Sequence, residues 1–161
     1  MEIKKLANNA LNFTINRFIE IIAICIVLIA ILLLISLTSF SPDDPNFIFP
    51  EGTSIKNLLG YHGSFSADFF FQSFGLIALL IPFSLIIVGI KIFLRKRIFL
   101  LVHVSFFSVL YSSFGALFFS IFYPRAFDLY INGNGGFIGK YLETTFLNSL
   151  IAFNPPAAYY L

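Results

Sequence analysis

Charge is what this chain has least of. Only 11% of its 161 residues are Asp, Glu, Lys or Arg, against about 25% in an average soluble domain. A soluble fold of this size has no way to cover its surface with so little polar material. Trp is absent, and the single cysteine, Cys25, lies in an apolar run, which excludes a disulfide within the chain. The net charge of +2 provides no basic excess for holding nucleic acid. What the chain does have is apolar length: 58% of its residues are hydrophobic, 23 are Phe, and the mean hydropathy is +0.91. The class that follows is an all-α polytopic transmembrane helix bundle.

The charges that remain sort the apolar runs. Residues 91–97, Lys-Ile-Phe-Leu-Arg-Lys-Arg, carry four positive charges at Lys91, Arg95, Lys96 and Arg97. Before them lie 22 uncharged residues, 69–90, and after them 27, 98–124. At about 1.5 Å per residue, each run is long enough to cross a bilayer. A short connector rich in Lys and Arg is retained in the cytoplasm. Residues 21–42 form the first uncharged run. Its length exceeds that of a signal-peptide core, so it reads as a span rather than a cleaved leader. Residues 1–20 carry Lys4, Lys5, Arg17, Glu2 and Glu20 with a weak apolar stripe, and are expected as a cytoplasmic lead-in forming an interfacial helix. The expected layout is three complete spans (21–42, 69–90, 98–124) and the start of a fourth from about 144, within a membrane domain covering 21–161. Loops 43–68 and 125–143 lie outside, and the N-terminus is cytoplasmic. Seven Lys and Arg then fall inside and three outside, the expected bias.

Asp43, Asp44, Glu51 and Asp68 face one cation, Lys56, in the first loop, as an outside segment requires. Pro42, Pro45 and Pro50 oppose helix there. Ser66 and Asp68 suit the start of the second helix. The three loop aspartates read as solvated topology determinants and helix-start residues, with contact to partner proteins as the second reading. Pro82 inside the second span predicts a kink. Along the third span, Ser105, Ser108, Ser112, Ala116 and Ser120 recur every three or four residues and predict a close-packing face.

Several segments resemble, in order and spacing, the N-terminal four-span membrane domain of the FtsK/SpoIIIE family of DNA translocases. Ser41-Pro42-Asp43-Asp44-Pro45 is similar to the family's Ser-x-x-Pro-x-Asp-Pro-Ser segment, with Asn46 in place of the last Ser. Asn57, Gly60 and Gly63 resemble its Asn-x-x-Gly-x-x-Gly. Ala67-Asp68, Phe74-Gly75 and Pro82 follow in register, and Gly135, Gly136 and Gly139 resemble the Gly-Gly-x-x-Gly before its fourth span. The resemblance implies a membrane anchor at the division septum of the bacterial inner membrane, in contact with other cell-division membrane proteins. It also implies a separate motor, absent from these residues, that uses ATP and Mg, assembles as a hexamer and pumps double-stranded DNA. The abrupt end of the apolar stretch at Leu161 is expected to be that of an N-terminal piece of a longer protein.

Catalysis has no constellation here. Spans one to three contain no Asp, Glu, Lys or Arg at membrane depth, which argues against the alternative of a self-contained carrier or channel subunit. His103, near the connector, reads as interfacial or hydrogen-bonded rather than as a proton relay. His62 falls on the opposite face, so the two histidines are not placed to share a metal. Cys25 reads as a small buried apolar residue. The glycines of 132–136 lack the Lys-Ser or Lys-Thr pair of a phosphate loop. No catalytic, cofactor or metal residue is assigned.

Overall fold

The computed structural model describes residues 2–45, 54–124 and 131–153. Expectations placed on Asn46, Pro50, Glu51 and Arg125 lie outside the described residues.

No Gly or Pro occurs between residues 2 and 38, so nothing interrupts the first helix, α1, Glu2–Thr38. The expected division into an interfacial lead-in and a separate span is therefore corrected. Residues 2–38 are one rod, because a helix that turned onto the membrane surface near residue 20 would need a breaker. The rod ends where Thr38 and Ser39 turn their hydroxyls back onto the carbonyls of Leu34 and Ile35, ahead of Pro42.

The second span starts earlier than its uncharged run. Helix α2, Gly60–Phe74, is followed by a 3-10 stretch, Gly75–Leu79, and by α3, Leu80–Arg95. Asp68 thus sits in the middle of α2 and is 2% exposed, not solvated at a helix start. The interruption lies on the N-terminal side of Pro82, not at it. Pro82 occupies the first turn of α3, where a missing N–H leaves no helical bond unmade. Helix α4 runs Phe99–Phe122. The fourth helical stretch begins at Gly136 rather than near 144: α5, Gly136–Tyr141, a π turn, Leu142–Leu147, and α6, Asn148–Phe153. Among the described residues three helical stretches, beginning at Lys4, Gly60 and Phe99, are long and apolar enough to cross a membrane.

Helix α1 packs most extensively against α3. Ala23, Ala30 and Leu37, seven residues apart, are its buried positions together with Ser36. Gly89 of α3 lies at the crossing, where a β-carbon would stand 2.6 Å from Val27 Cγ2 and 3.2 Å from the Ala23 carbonyl oxygen. Small residues bring the two backbones together, as in lipid they must, since apolar bulk alone gives helices no preference for each other over acyl chains. Two apolar clusters result. Ala23, Val88 and Ile92 pack near the α3–α4 connector, and Leu37, Ala67, Phe71 and Ala78 near the loop end.

At the connector end, Lys96 caps α3 with a left-handed backbone, φ 55, its N–H donating to the Ile92 carbonyl at 2.8 Å. That conformation costs a non-glycine residue roughly 1–2 kcal/mol. Offsetting contacts surround its ammonium. It lies 2.6 Å from Glu20 and over the Phe93 ring, and it donates to the Phe93 carbonyl. Glu20 also holds Arg17 at 2.5 Å, so one carboxylate ties α1 to the connector.

Gly89→Leu should lower stability in detergent by about 1–3 kcal/mol through overpacking of the α1–α3 crossing, and Gly89→Ala by less. Thermal melting followed by circular dichroism tests this, and equal midpoints for wild type and Gly89→Leu would remove the close crossing.

Candidate functional site

The polar chemistry concentrates at the loop end, in two junctions. In the first, the chain leaves α1, loops out and returns to α2. Asp44 is 2% exposed and accepts the N–H groups of Lys56 and Asn57, each at 2.8 Å, one on each carboxylate oxygen. Its side chain, at the outgoing end of the loop, thus supplies the acceptor for two backbone N–H groups at the returning end. Asn57 is buried and donates its amide to the carbonyls of Ser36, at 2.8 Å, and Ser39, at 3.3 Å, while its Oδ1 accepts the Leu59 N–H at 3.1 Å. Ser36 donates to the Gly63 carbonyl at 2.6 Å, and Ser64 to the Pro45 carbonyl at 2.6 Å. A β-carbon on Gly63 would fall 2.1 Å from Asn57 Oδ1, so the first turn of α2 fits against the asparagine only without a side chain there. Ser41 is half-buried, its carbonyl accepting the Asp44 N–H at 3.2 Å, and Pro42 is exposed. Asp43 pairs with exposed Lys56 at 2.8 Å and holds that ammonium above its ordinary range. Asp44 is therefore not the solvated charge expected, because it bonds backbone rather than water.

The second junction joins the break in the second span to the start of the fourth stretch. Gly75 ends α2 with φ 68, and Gly136 opens α5 with φ 63, both in the left-handed region that glycine enters without strain. A β-carbon on Gly75 would meet the Asn134 carbonyl oxygen at 1.9 Å, and one on Gly136 the Gly75 nitrogen at 2.6 Å. The Leu76 N–H, freed by the break, donates to that Asn134 carbonyl at 2.9 Å. Asn134 is fully buried and its amide donates to the Tyr123 carbonyl at 2.6 Å.

From this junction α5 crosses α4 at close range. A β-carbon on Gly139 would stand 2.3 Å from the Ala116 carbonyl oxygen, and one on Gly135 2.8 Å from Ser120 Cβ. The four-residue glycine spacing thus seats on the expected face of α4. On that face Ser108, Ser112 and Ala116 are buried, Ser120 is half-buried and donates to Glu143 at 2.5 Å, and Ser105 is exposed. The buried hydroxyls of Ser108 and Ser112 have no partner among the described residues. Asp68, beneath the first junction, is held by the Gln72 amide at 3.3 Å.

His62 is exposed and lines, with Ile29, Leu32, Ser36 and Phe70, a groove of about 420 Å³ between α1 and α2. His103 is exposed and lies 3.0 Å from the Phe99 carbonyl. Cys25 is exposed on α1, not buried as expected, because its helix buries the Ala23–Ala30 stripe instead. Among the described residues no three His, Cys, Asp or Glu side chains converge on a metal position.

A family model for the 4TM region of the DNA translocase FtsK/SpoIIIE matches residues 16–155. The chain belongs to that family. A curated relative named DNA translocase FtsK, from Rickettsia bellii (strain RML369-C), is 34% identical over 80 residues, covering 48% of this chain. The matched part is 11% of that relative's length. No solved structure matches. Asp44, Pro45, Asn57, Gly60 and Gly63, the residues on which the sequence resemblance was drawn, meet in the first junction. Gly75, Gly135, Gly136 and Gly139 meet in the second. Ala67 and Asp68 are buried on α2 between Ser64 and Phe71. Sequence reasoning missed Glu20, Ser36, Ser64, Asn134 and Glu143. The signal for Asn134 was a polar residue enclosed by Gly133 and Gly135, and for Glu20 a lone acid at the border of an apolar run.

Asp44→Ala leaves two backbone N–H groups without an acceptor and should cost about 1–3 kcal/mol. Gly139→Val should cost a similar amount by pushing α5 off Ala116. Detergent melts should show both midpoints falling, while exposed Ser105→Ala stays at the wild-type value.

Proposed function

We propose that this 4TM domain moors a DNA translocase in the bacterial inner membrane at the division septum. Residues 2–19 and the connector Lys91–Arg97 lie in the cytoplasm, and the two glycine-rich junctions lie at the opposite face. The domain acts by tethering and recruitment. An ATP- and Mg-dependent hexameric pump for double-stranded DNA belongs to a further part of the protein, and other cell-division membrane proteins contact the junction face. The family match over residues 16–155 is the observation that supports this reading most directly. A further support is physical. Asp44 and Asn57 are engaged by backbone groups at one end and Glu20 by Arg17 and Lys96 at the other, so these polar side chains are occupied in holding the chain together.

Two measurements test the proposal. A fluorescent fusion of residues 1–161 should concentrate at division sites in growing cells, and a uniform membrane signal would overturn recruitment by this domain. With Cys25→Ala as background, Arg97→Cys should react with a membrane-impermeant thiol reagent only in inverted vesicles. Reaction in intact spheroplasts would reverse the orientation.

A further inference from the structure

The end of the bundle where α3 turns into α4 carries charge of one sign. Lys91, Arg95, Lys96 and Arg97 lie there in sequence, and Arg17 and Lys96 share one carboxylate, Glu20. That carboxylate is already committed: Arg17 lies 2.5 Å and Lys96 2.6 Å from it. Lys96 is held further by the Phe93 ring and carbonyl. Lys91, Arg95 and Arg97 are exposed, and among the described residues none of the three has an ion pair. Lys91 and Arg95 are four residues apart on one helix, so they share a face.

Depth decides what these cations meet. Only residues 96–98 separate α3 from α4, so the connector has no slack to rise away from the bilayer. Leu94 on one side is 71% exposed and Phe99 on the other 76% exposed. Both are large apolar side chains that hydrocarbon covers at no cost and water does not. With those anchors in the acyl layer, the guanidinium groups extend to the headgroup layer and stop there. The anions at that depth are lipid phosphates, and guanidinium pairs with phosphate through two parallel hydrogen bonds. A zwitterionic headgroup brings its own cation and gains little. A DNA duplex would have to be pressed against the membrane surface to reach the same groups.

We propose that Lys91, Arg95 and Arg97 form a binding surface for the headgroup of an anionic phospholipid. The inference rests on the membrane character of the domain and not on which face the connector occupies. Glu20 serves the surface by holding Lys96 and α1 in place, and among the described residues the three remaining cations have no ion-pair partner.

The test uses the purified chain in neutral detergent, titrated with dioleoylphosphatidylglycerol or dioleoylphosphatidylcholine, with bound lipids counted by native mass spectrometry. The phosphatidylglycerol should be retained preferentially, by about five-fold for each cation engaged. K91Q/R95Q/R97Q should bring the two lipids close to parity with helical content unchanged, since all three side chains are exposed, while K4Q/K5Q should keep the preference. Parity in the wild type, or a preference that survives K91Q/R95Q/R97Q, would overturn the proposal. Inorganic phosphate bound in the absence of lipid with the same dependence on these three residues would also overturn it, in favour of a free-anion site. So would a short DNA duplex that remains bound when phosphatidylglycerol is added, in favour of nucleic acid.

Discussion

The hydrogen bond from the Leu76 N–H to the Asn134 carbonyl, at 2.9 Å, is the contact on which the bundle turns. A helix that breaks releases backbone groups, and a buried N–H left without an acceptor is costly. The second span breaks at Gly75, and the residue just beyond it finds its acceptor on another segment of chain. That acceptor arrives only because Gly75, Gly135 and Gly136 carry no side chains, so the two backbones come within contact distance. The break and the start of the fourth helical stretch are therefore one structure. The close crossing of α5 over Ala116 follows from where the junction delivers the chain.

The distribution of polarity follows from the same constraint. Mid-bundle contacts use Ala, Gly and Ser at helical spacing and carry no charge. At the loop end, a carboxylate and an asparagine side chain substitute for backbone partners in an irregular loop. At the connector end, ions pair with ions, because there the chain reverses in three residues and Lys96 takes up a left-handed turn. A domain built this way has rigid ends and a tightly interlocked middle, which suits a mooring better than a carrier that must open a path.

Much of this was legible in the sequence and some was not, for physical reasons. The three membrane-crossing stretches announced themselves because lipid demands uncharged length, which is a property of composition. The face Ser108–Ser112–Ala116 was legible because helical packing is periodic. The ends of the helices were not. Helix α2 begins nine residues before its uncharged run, since Ser66 turns its hydroxyl onto the His62 carbonyl of the same helix and Asp68 is buried beside the Gln72 amide. Asp44 and Asp68 looked like solvated charges because a sequence displays charge without displaying burial. The lead-in was misjudged because an apolar stripe describes a surface helix and an exposed rod equally well. Only the missing breaker between Glu2 and Thr38 separates the two. Cys25 went the same way: one residue's displacement around a helix decides whether a side chain meets a neighbour or the surroundings.

Helix α1 is one unbroken element that the connector holds at its midpoint, through Glu20, and that the start of α2 holds near its end, through Ser36. At about 1.5 Å per residue its 37 residues extend roughly 55 Å, and no glycine or proline along it offers compliance. The residues ahead of Glu20 therefore continue the spanning helix for roughly 27 Å, so whatever engages them is joined to the span by helix and not by a pliant tether.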